Sequence, residues 1–291
     1  MPLEMIPLPC RNPLYLRVKE ASNMIHFPVL RTKIATITLR EIPMIDAIRI
    51  AGMPVQNDES AVTAFLRAVV ESATGLPDDV LDWTVEYRTL AVCHYLASVL
   101  PGGPDFTLVN GAARYSDYLD GAIDAIPASI KLGKVSGDTW NLSPLTGRMA
   151  ESIERTQGAL LDGRLHWLFG AMACQLDRDN EEESALTDGL DDWLAMRMNV
   201  LLSYTESDML DLMDAFQSAR SNLYHLFNMD FSETGMIVLP KQEGAGLPPA
   251  RFPVHSCLSE AALGMGKWAA RTQSQPDPVR EHADSSSHGD D

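Results

Sequence analysis

Residues Thr205–Asn228 read TESDMLDLMDAFQSARSNLYHLFN, and this stretch decides the fold class. Met209, Leu212, Met213, Phe216, Leu223, Leu226 and Phe227 recur three and four residues apart, which places them on one face of a helix. Asp208, Asp211, Asp214, Gln217, Arg220 and Asn222 fall on the other face. The spacing predicts a helix over 205–228 that packs inward through its apolar side and offers an acidic side to solvent or a partner.

The same reading extends outward in both directions. Asp191–Leu202 forms the preceding helix, and Met236–Leu239 is a short strand that ends at Pro240. The stretch 241–253, rich in glycine and proline, is a loop, and Ser256–Ala270 is a last helix. Nearer the start, Lys33–Glu41 alternates β-branched and polar residues and reads as a strand. Helices follow over Met44–Ala51, Asp58–Ala73 (capped by Asn57 or Asp58) and Thr84–Leu100, the last broken by PGGP at 101–104. Residues 127–145 read as a hairpin, and helix resumes from Met149 to Leu176 with interruptions at Gly158 and Gly163. The fold class expected is mainly α, α+β, with amphipathic helices and short strands or hairpins between them. The division expected is a proline-rich arm over 1–30, a strand-plus-helix subdomain over 31–126, a hairpin-plus-helix subdomain over 127–271 and a disordered tail over 272–291.

A chain of 291 residues that is 45% hydrophobic and 22% charged has the composition of a folded protein. Its formal net charge of -17 disfavours nonspecific binding to nucleic acid or to an anionic membrane, since both repel a polyanion. The expectation is no nucleic acid and no membrane among its partners. The opening MPLEMIPLPC lacks the basic start and unbroken apolar run of a signal peptide, and the four scattered cysteines read as free thiols.

Catalytic and metal motifs are missing from the pattern. The acidic run Asp177, Asp179, Glu181, Glu183 and Asp188 puts oxygens at alternate positions, but Glu182 stands where a calcium loop needs its turning glycine. Cys93 beside His94, and His166 eight residues before Cys174, do not have zinc-ligand spacing. Gly264-Met265-Gly266-Lys267 is followed by Trp268 and preceded by no strand, so it is no phosphate-binding loop. No cofactor is expected. Fourteen methionines, several late in the chain, suit core filling or an adaptable binding surface.

Four stretches carry a family likeness: ITLREIPMIDAIRIAG at 37–52, TVEYRTLAVCHYLASVL at 84–100, WNLSPLTGRMAESIE at 140–154 and YTESDMLDLMDAF at 204–216. In their order and layout the chain resembles the phage tail and baseplate assembly proteins related to the baseplate hub assembly protein of T-even-type phages. The resemblance implies a non-enzymatic protein that binds tail or baseplate proteins in the host cytoplasm during assembly, or in the virion. The paired cysteines of some relatives have no counterpart here. On this reading the outer carboxylates Asp208, Asp211 and Asp214 are the partner-binding residues, with the N-terminal arm beside them. Two other readings stay open: an enzyme whose carboxylate and histidine site is gathered from distant residues, and a host adaptor protein.

Overall fold

The architecture comes from a computed structural model that describes residues 25–108, 113–120, 129–135, 137–178, 189–242, 244 and 246–273. Among these the order is β1 (Leu30–Arg31), β2 (Thr36–Leu39), α1 (Met44–Ala51), α2 (Asp58–Val69), β3 (Val70–Thr74), α3 (Val85–Val99), β4 (Ile130–Val135), β5 (Asp138–Leu142), α4 (Gly147–Arg155), α5 (Gly163–Gln175), β6 (Leu176–Arg178), α6 (Leu190–Leu202), α7 (Glu206–Arg220), β7 (Asn228–Ser232), β8 (Gly235–Leu239) and α8 (Glu260–Gln273). The strands make three small antiparallel sheets, β1-β2-β3, β4-β5-β6 and β7-β8, between the helices. The fold is therefore mainly helical, of the α+β class.

Helix α3 lies inside because it has almost no polar face: Tyr87, Leu90, Ala91, Val92, Cys93 and Tyr95 are all buried. Its start is fixed beside that of α4. Thr84 caps α3 by accepting from Tyr87 N at 3.4 Å, and Thr146 caps α4 by accepting from Met149 N at 3.5 Å. The two threonines are paired in a β-bridge, with Val85 N donating to Leu145 O and Gly147 N to Trp83 O. This pairing brings the first turns of α3 and α4 into contact, and α2 packs across both. The buried apolar side chains form one continuous core from Phe27 to Ala262.

The structure corrects the sequence expectations at several boundaries. α2 stops at Val69, and 70–74 is strand β3, because Val70 and Thr74 pair with Leu39 and Thr36 of β2. α5 likewise stops at Gln175, and Leu176 pairs with Leu142 as part of a third strand on the expected hairpin. The helix expected to reach Asn228 ends at Arg220. Leu223, Leu226 and Phe227 are buried as expected, but from turns, and Arg220 lies inside rather than on the solvent face. Neither Asn57 nor Asp58 caps α2; Asn57 makes no side-chain capping bond, and the Glu154 carboxylate of α4 meets the first amides instead. The last helix begins at Glu260, after a 3-10 turn over Val254–Cys257. Residues 1–24 of the expected proline-rich arm, residues 179–188 of the acidic run and the tail from 274 lie outside the described residues.

Candidate functional site

The acidic face of α7 is where the expected partner residues sit. Asp211 and Asp214 are exposed on its outer side, with exposed Glu206 and Leu210 beside them. Asp208 instead holds the helix cap. Its carboxylate accepts from Thr205 Oγ1 at 2.7 Å, while Thr205 Oγ1 accepts from Asp208 N at 3.3 Å. The inner side of α7, with Leu212 and Phe216 buried, packs on β4 and β5. α6 adds exposed Met196, Val200 and Leu202. From Gly189 to Ala219 the one cation is Arg197, whose guanidinium lies 4.8 Å from the Trp193 ring centroid and donates to Leu176 O. Within 189–219 no exposed cation therefore accompanies Asp211 and Asp214, whereas Asp191 of α6 pairs with Arg155 of α4 at 2.8 Å.

A second cluster lies inside, where α2, α3 and α4 meet. Glu154, near the end of α4, accepts from Glu59 N at 2.6 Å, Ser60 N at 3.1 Å and Ser60 Oγ at 2.7 Å. A carboxylate at this point satisfies orphan amides of α2 and meets the positive end of its dipole. Arg88, buried in α3, donates Nη2 to Glu59 O at 2.8 Å and to Thr63 Oγ1 at 2.9 Å, and the Glu59 carboxylate lies 3.4 Å away. The guanidinium lies against Gly147, where an added Cβ would come within 1.5 Å of Nη1. Among the described residues Arg88 Nε and Nη1 have no hydrogen-bond partner. Burial raises the Glu59 carboxyl from 4.5 to about 7, against the opposing pull of Arg88. Burial also raises Glu154 and the neighbouring Asp58.

Two residues before Arg88 on α3, Glu86 ties the segment after α7 to the core. Its Oε2 accepts from His225 N at 3.0 Å and Leu226 N at 2.9 Å, and His225 Nδ1 stands 2.8 Å away. These bonds explain why the helix does not run on to 228: two amides that would continue it are held by a side chain from α3. Arg220, where α7 ends, turns inward, donates to Met229 O at 2.9 Å and lies 4.2 Å from the Phe231 ring centroid. Burial lowers its pKa.

Two small cavities flank these groups, both bordered by Val85, Met229 and Met236. One, of about 30 Å³, lies by Glu86, His225 and Arg220; the other, of about 40 Å³, lies by Asp58, Glu59, Arg88 and Arg251. Spaces of this size admit a water or two. Among the described residues no three metal-ligating side chains lie together, and no helix is long and apolar enough to cross a membrane. Cys93, Cys174 and Cys257 are buried, and burial pushes the Cys174 thiol up to about 12 and the other two well above their ordinary value, so they are poor nucleophiles.

The interior cluster escaped the sequence reading, which weighed His94 and His166 but not His225. The available signal was Glu86 and Arg88 inside an otherwise apolar helix, since a charge there must find partners. No family model, curated protein or solved structure matches the chain.

Proposed function

We propose that this chain is a phage tail or baseplate assembly protein that works by binding other proteins, in the host cytoplasm or in the virion, without catalysis. The setting rests on the resemblance of the four sequence stretches. The mode of action rests on one observation: the outer face of α7 presents Glu206, Asp211 and Asp214 around exposed Leu210, with no exposed cation from the same segment. Such a face suits a basic partner with an apolar contact of its own, because opposite charge speeds encounter and the apolar contact holds it. The interior polar groups, by contrast, spend their hydrogen bonds on helix ends and turns.

Capture of tagged chain from lysate of the cells that make it, read by mass spectrometry, tests this. Tail-tube, hub or baseplate proteins should be recovered, and recovery should fall with Asp211→Asn and Asp214→Asn together. Recovery unchanged by that pair, or of the bait alone, contradicts the proposal. A second reading, an enzyme with a carboxylate and histidine site built from distant residues, draws on Glu59, held near 7 by burial beside Arg88 at one of the cavities. The water-sized space there favours the first reading.

A further inference from the structure

The outward side of α8 repeats apolar residues where a surface helix is normally polar. Ala262 and Gly266 face the body, and Gly266 approaches α1 so closely that a Cβ on it would lie 2.5 Å from Ala51 Cβ. Ala261, Gly264, Met265 and Trp268, at i, i+3, i+4 and i+7, point the other way. Trp268 is 70% exposed and Met265 40% exposed. The adjoining α1 carries Met44 and Ile45, also exposed. A tryptophan left in water forgoes the burial that makes it a common anchor of interfaces.

We infer that this face joins two copies of the chain, through α8 packed antiparallel on α8 of the second copy about a two-fold axis near Gly264 and Met265. The sequence of the helix is self-complementary in that arrangement. Antiparallel pairing sets Trp268 over Ala261 of the other copy, large against small, and Gly264 lets the axes approach. Glu260 and Lys267 are seven residues apart on one flank, and antiparallel helices juxtapose equivalent flanks, so each Glu260 meets the other copy's Lys267, two pairs in all. Both side chains are exposed, and neither makes an ion pair among the described residues. This charge complementarity points to a second copy as the occupant. The surface is separate from the α6–α7 face, and the two are told apart by salt. Pairing of two acidic copies strengthens as salt screens their repulsion, whereas docking of a basic partner weakens.

Sedimentation of the full chain over a concentration series, at low and high salt, is the test. The expected result is a monomer–dimer equilibrium that shifts to dimer with salt. Trp268→Glu should weaken it at least about a hundredfold, since two-fold symmetry counts the anchor twice. Met265→Lys is a second disrupting variant, and unchanged thermal unfolding of both, expected at exposed positions, shows that the fold is kept. Lys267→Glu should weaken the dimer about tenfold by setting like charges together, and adding Glu260→Lys should restore it. A chain that stays monomeric, or a dimer indifferent to Trp268→Glu, overturns the inference. Failure of the charge swap to restore the dimer overturns the antiparallel register.

Discussion

Replacing Glu59 by glutamine should change how stability depends on pH. The carboxyl is buried at the start of α2, and its pKa stands at about 7 rather than 4.5. A group whose folded-state pKa is raised holds its proton more tightly when folded. Its contribution is therefore complete below about pH 4.5 and is lost as pH rises through about 7. The difference corresponds to about 3 kcal/mol between the two ends of that window. Arg88, 3.4 Å from the carboxylate, already offsets part of the burial cost, so the remaining shift is the net effect. Glutamine keeps the shape and an acceptor for Arg88 but has no proton to lose. Urea unfolding of both proteins, at steps from pH 4.5 to 8, isolates the residue, because the repulsion of a highly acidic chain is nearly common to the two. The wild type should lose about 3 kcal/mol relative to Glu59→Gln across the window. Parallel curves, or a variant that loses more than the wild type toward high pH, would show instead that the Arg88 pair outweighs burial.

Three other outcomes follow from the contacts. Gly147→Ala should cost about 1–3 kcal/mol in denaturant unfolding, because its Cβ overlaps Arg88, and Arg88→Met should recover part of that loss in the double variant. Glu86→Ala should cost about 3 kcal/mol by leaving the His225 and Leu226 amides unpaired, and amide exchange at those two residues should quicken more than along α3. Thr205→Ala should lower stability by about 1 kcal/mol through loss of the α7 cap, while Asp211→Asn, exposed and outside the cap, should stay within about 0.5 kcal/mol.

Local patterns made the helices legible, and long-range contacts hid their ends. α1 spans Met44–Ala51 as read, because Pro43 and Gly52 mark both limits in the sequence itself. Val70 continues the apolar spacing of α2, and only its pairing with Leu39, far back in the chain, shows it to be strand. Leu223, Leu226 and Phe227 keep helical spacing by coincidence of burial, while Glu86 holds the backbone out of the helix. Asp208, Asp211 and Asp214 are alike in sequence, yet one braces the Thr205 cap and two face solvent, a distinction that depends on how Thr205 turns into α7. The Glu59, Arg88 and Glu154 cluster needed three helices to meet, and no single segment announces it.

Site-specific photo-crosslinking from Leu210 in the cells that make the protein tests most directly that the α7 face docks other proteins. A crosslinking residue at exposed Arg67 on α2 serves as the control. A defined adduct is expected from position 210 to a tail or baseplate protein with basic residues at the contact, and none from position 67. Adducts equal at both positions, or none at 210 while the protein is in active use, would contradict it.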